Sequence, residues 1–150
     1  MTFPFTIKYK TKISNTITEE NTQMVMTYIR DFIEKKSADD IVVEGSKLTF
    51  KSKFFKAGRW NTNILVPIEK GEFNIVKKGD KTFLTYEFFM YHLFIGTLLI
   101  ALFFSAISGH IWIGLFFFIW LCGMNWITAI FRHKSMHKKI TLEIDKLTIN

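Results

Sequence analysis

Charge is missing from one long stretch of this 150-residue chain. No Asp, Glu, Lys or Arg occurs from Phe88 to Phe131, although charged residues make up 22% of the whole, so all twenty Lys/Arg and thirteen Asp/Glu lie outside it. A soluble core element does not run uncharged for so long, and the stretch predicts membrane. Cysteine is nearly absent too. The single Cys122 excludes disulfide frameworks and cysteine-rich metal sites, and it sits in the apolar stretch, where a thiol is unreactive. No P-loop, dinucleotide fingerprint, HExxH or GxSxG occurs, and the carboxylates lie in turns, on a helix surface and beside lysines. The expectation is a non-enzyme without cofactor. MTFPFTIKYKTK lacks a basic start followed by an apolar run, Gly does not follow Met1, and no cysteine lies near either end. Neither a cleavable leader nor a lipid anchor is expected.

Residues 1–87 carry a mild excess of basic over acidic side chains and regular punctuation, which predicts a small α+β module. Phe5 to Lys10 alternates apolar with polar and reads as a first strand. Thr18 has the chemistry of an N-cap, and Glu19 and Glu20 suit the positive end of a helix dipole. Val25, Tyr28, Ile29, Phe32 and Ile33 then share one face, predicting an amphipathic helix over 19–36. From Ile41 the period changes to two. Runs at 41–44, 48–52, 60–68, 73–76 and 81–88, split by short Gly-bearing turns, predict an antiparallel meander covered by that one helix.

Residues 88–131 divide at the uncharged turn Ser108-Gly109-His110 into 88–107 and 111–131. Each is close to the ~20 residues that cross ~30 Å of hydrocarbon, so the architecture is an α+β membrane protein with a two-helix transmembrane hairpin. The exit sequence RHKSMHKK is strongly basic, and the positive-inside rule places both termini in the cytoplasm, as in a bacterial inner-membrane protein. Residues 132–150 form a basic collar and tail. The tail's alternation of Ile and Leu with polar residues favours an added strand over a continued helix, which would leave Leu142 and Ile149 on the wrong face.

Four sets of residues stand out. In a hairpin turning near Gly109, positions summing to about 218 share a depth, and His92 and Asn125 sum to 217; a polar pair across the hairpin is expected, with a pore or proton relay as the functional alternative. Gly96, Thr97, Ala101, Ser105, Gly114 and Cys122, with Asn125 and Ala129, supply small faces for helix packing within the hairpin or against a second copy. Phe116, Phe117, Phe118 and Trp120 are expected to meet lipid, with Trp112, Trp120 and Trp126 as interfacial anchors. Arg132, Lys134, Lys138 and Lys139 are expected to contact anionic headgroups. His133 and His137 have metal-clamp spacing, but the cations around them repel a divalent ion, so they read as part of the collar.

Lysines interleave with aromatics over Lys47, Phe50, Lys51, Lys53, Phe54, Phe55, Lys56, Arg59 and Trp60. No RNA-binding signature accompanies them, so a sheet with a buried aromatic face is expected rather than a nucleic-acid interface. Two functions remain: an interaction or sensor module at the membrane surface, acting as an accessory subunit for a protein partner, or a ligand-sensing effector whose hairpins oligomerise into a pore or perturb the bilayer. The lack of a continuous polar stripe along the spans favours the first.

Overall fold

Alternating side chains from residue 6 onward build a fully antiparallel sheet, seen in a computed structural model that describes residues 5–14, 17–36, 38–52 and 68–148. Its strands are β1 (Thr6–Ile13), β2 (Asp39–Glu44), β3 (Lys47–Lys51), β4 (Lys70–Lys78) and β5 (Lys81–Phe89). The helices are α1 (Glu19–Lys35), α2 (Tyr91–Ser108) and α3 (Ile111–Leu147). The order β1-β5-β4-β3-β2 keeps a four-strand meander in place of the expected five, because β3 pairs directly with β4, and adds the first strand alongside the last, with Tyr9 opposite Tyr86. The run expected at 60–68 lies outside the described residues except for Ile68, which is buried.

One sheet face is apolar because the period of two puts Leu48 and Phe50, Phe73 and Ile75, and Leu84, Tyr86 and Phe88 on the same side. The other face carries Lys8, Lys10 and Lys12, with Glu72 and Glu87 as neighbours across β4 and β5. That like-charge pair is offset by Lys47, 3.1 Å from Glu72, and Lys8, 3.3 Å from Glu87. Helix α1 starts where expected: the Thr18 hydroxyl accepts a hydrogen bond from the Asn21 amide at 3.3 Å. Val25, Met26, Ile29 and Ile33 are buried on the sheet.

Two expectations change at the hairpin. The first helix starts at Tyr91 rather than Phe88, because Phe88 continues the inward alternation of β5 and is completely buried in the sheet core. Met90 alone separates strand from helix, and its amide donates to the Phe5 carbonyl at 3.0 Å. The tail is also helical, not a strand. α3 runs 37 residues without interruption, and its second half lays Met136, Ile140, Thr141 and Ile144 onto the sheet beside α1. Burying that stripe outweighs exposing Leu142, which costs little at a helix surface. Two helical segments, not one, cover the sheet.

Tyr91–Ser108 and the first half of α3 are long and apolar enough to cross a membrane. They are mostly exposed, unlike the core helices of a soluble fold. Gly109 closes α2 in the left-handed region at φ 68°, a conformation that glycine adopts without Cβ strain.

Candidate functional site

The depth arithmetic for the hairpin holds, but it selects different residues from those first singled out. Leu93, Thr97 and Ala101 of α2 are buried against Gly114, Cys122 and Ala129 of α3. The Cys122 thiol meets the Thr97 hydroxyl. A Cβ on Gly114 would collide with the Ser105 side chain and the Ala101 carbonyl, so glycine is what allows the backbones to close. Phe104 and Phe117 stack at 4.4 Å, which puts Phe117 partly inside the hairpin. Phe116, Trp112 and Trp120 remain exposed, while Trp126 packs against the core. Gly96 has open space around its Cβ position and is not a close-approach residue.

His92 and Asn125 are not brought together. Both are exposed rather than enclosed between the helices. His92 Nδ1 lies 3.5 Å from Glu69 Oε2, and Asn125 Nδ2 donates to the Leu121 carbonyl at 2.7 Å. Equal depth fixes height along the helices but not which face a residue occupies.

A polar layer inside the α3–sheet contact is the feature that the sequence reading missed. His133 and His137 leave the collar and point inward, completely and almost completely buried. His133 Nδ1 and the Tyr86 hydroxyl share a hydrogen bond of 3.1 Å, and His137 Nε2 and the Thr11 hydroxyl share one of 2.9 Å. The Tyr9 hydroxyl donates to the Ile130 carbonyl at 2.8 Å. Around them Phe73, Tyr86 and Phe88 stack, with His133 4.5 Å from the Phe88 ring and His137 against both Tyr9 and Tyr86, the three rings forming a triangle about 6 Å on a side. Burial raises the Tyr9 phenol and pushes Tyr86 well above its usual range, so both rings stay neutral. Burial also lowers His137 to about 4, leaving it uncharged at neutral pH. Its Nδ1 is buried without a hydrogen-bond partner. Two histidines at i, i+4 among cations looked like surface; the signal for burial was their phase with Met136, Ile140 and Ile144, which share the same helical stripe.

This layer has no room for a substrate, because its central groups, Tyr86 and His133, have no accessible surface. Its chemistry is positioning: hydrogen bonds of fixed geometry register α3 on β1 and β5. Among the described residues, no group of three or more His, Cys, Asp or Glu side chains is placed to hold a metal ion.

The four cations of the collar are all exposed, and helical spacing splits them. Arg132 and Lys139 share a face with Ser135 and Met136, next to α1, whereas Lys134 and Lys138 lie on the opposite flank. The sheet-side lysines Lys47 and Lys51 flank a buried Phe50, as a sheet with one apolar face requires. Lys53, Phe54, Phe55, Lys56, Arg59 and Trp60 lie outside the described residues. No protein family, curated protein or solved structure matches the chain.

Proposed function

We propose that this chain is a two-span membrane protein that holds a cytoplasmic sheet module rigidly against the inner leaflet, where it serves as a non-enzymatic interaction or sensor subunit. The observation that carries the reading is the unbroken α3 helix. Its first half is apolar and mostly exposed, and its second half is buried in the core of the sheet module. Residues before α2 and after the first half of α3 belong to one core, so both must lie on the same side of any bilayer that the hairpin crosses. Arg132, Lys134, Lys138 and Lys139 immediately follow the uncharged segment, and the turn at 108–110 has no formal charge, which supports a cytoplasmic side for that core. A module joined to its hairpin through Met90 on one side and a continuous helix on the other transmits tilt or rotation without a flexible linker.

Single cysteines at Ser108 and at Glu44, in a Cys122→Ala background, test membrane insertion and orientation together. An impermeant thiol reagent added to intact cells labels Ser108→Cys alone. Labelling of Glu44→Cys in intact cells refutes the orientation, and release of the protein from membranes by alkaline carbonate refutes insertion. Size after gentle solubilisation separates the subunit from the effector: a closed homo-oligomer of several hairpins favours the pore or bilayer-perturbing reading.

A further inference from the structure

Between the C-terminal end of α1 and the sheet-packing half of α3 lies a cleft of about 260 Å³, lined by Phe32, Lys36, Arg132, Ser135, Met136 and Lys139. We propose that it binds the phosphate headgroup of a single anionic phospholipid from the cytoplasmic leaflet. This inference rests on the membrane reading above.

The chemistry of the lining is that of a phosphoester with an apolar tail. Three cations and one hydroxyl offer donors only or donors by rotation, and Arg132 can grip two phosphate oxygens at once. Phe32 and the buried Met136 supply apolar walls. Among the described residues, the carboxylate pairs are made by Lys8, Lys47, His92 and Lys146, and none is made by Lys36, Arg132 or Lys139. Three like charges around one small cleft repel one another unless an anion joins them.

Depth agrees with a lipid. Arg132 directly follows Phe131, the last residue of the uncharged stretch. The rise from Arg132 to Lys139 is about 10 Å along the helix, comparable to a headgroup layer of roughly 5–8 Å per leaflet. From Ser135 toward the hydrocarbon, Phe131, Thr128 and Met124 continue the same stripe, and Phe131 and Met124 are largely exposed, offering an acyl chain a track along α3. Lys134 and Lys138 lie on the other flank, outside the cleft, and provide an internal control of equal charge.

The experiment uses the full chain in nanodiscs of phosphatidylcholine containing a minor share of phosphatidylglycerol, with retained lipid counted by native mass spectrometry after gentle release. The expected result is one retained phosphatidylglycerol per chain. Arg132→Gln with Lys139→Gln lowers its retention at least about tenfold, whereas Lys134→Gln with Lys138→Gln leaves it unchanged. Unchanged thermal melting of both variants shows that the fold is kept. Equal loss in the two variants means a diffuse basic collar and overturns the cleft, as does an absence of selectively retained lipid in a chain that inserts normally. Displacement of the lipid by millimolar inorganic phosphate means that free phosphate is the ligand and overturns the lipid assignment. Failure of the chain to insert overturns the membrane reading itself, an outcome distinct from insertion without selectivity.

Discussion

Protonating His137 should loosen the helix-on-sheet contact, and the structure sets both direction and size. The ring packs against both Tyr9 and Tyr86, shares a hydrogen bond with Thr11, and has Nδ1 buried without a partner. The groups that face it from the sheet are two phenols held neutral by burial and a hydroxyl, and the other titratable group on its own stripe is His133. None is an anion that could stabilise an imidazolium. The pKa falls from 6.5 to about 4 on folding. The unfolded chain therefore binds a proton more readily than the folded one, and stability present above pH 6.5 is lost progressively as pH falls toward 4. Between pH 7.5 and 4.5 a shift of that size corresponds to a loss of about 2–3 kcal/mol. Equilibrium denaturation of the detergent-solubilised chain at steps from pH 7.5 to 4.5 should show it. His137→Gln, which can still bond Thr11 but does not titrate, should flatten that part of the profile. An imidazole signal titrating near its ordinary value, or an identical pH profile in the variant, would refute the argument.

Three further outcomes follow from packing. Gly114→Val should destabilise the hairpin by about 1–3 kcal/mol through collision with the Ala101 carbonyl, whereas Gly96→Ala, in open space, should leave melting unchanged or raise it slightly; thermal aggregation in detergent reads both. Ile140→Ala should cost about 2–5 kcal/mol while Leu142→Ala stays within about 0.5, because only the first is buried; comparable losses in denaturation would instead suit a strand. His92→Leu and Asn125→Leu should act additively in stability, because their partners are Glu69 and the Leu121 carbonyl; a strongly non-additive double mutant would mean that the two side chains meet.

What the sequence determined alone was everything governed by local pattern. Uncharged length marked the two apolar helices, Gly109 marked their turn, Thr18 marked the start of α1, and period-two alternation with glycine turns marked the meander. These signals are local because helix and strand periods, caps and turns act within a few residues. Tertiary structure decided which neighbour each face met. Phe88 looked like the first membrane residue because composition cannot separate the last inward side chain of a strand from the first of a span. The tail was ambiguous because its Ile and Leu positions satisfy both periods; the sheet resolved it by leaving an apolar strip beside α1 that Met136, Ile140 and Ile144 fill as a helix. His133 and His137 were misread for the same reason: charge at adjacent positions describes a helix surface only until one stripe of that helix is buried. The cleft joining Lys36 to Arg132 and Lys139 was invisible in sequence, since it exists only where two helices almost a hundred residues apart in the chain lie side by side on one sheet.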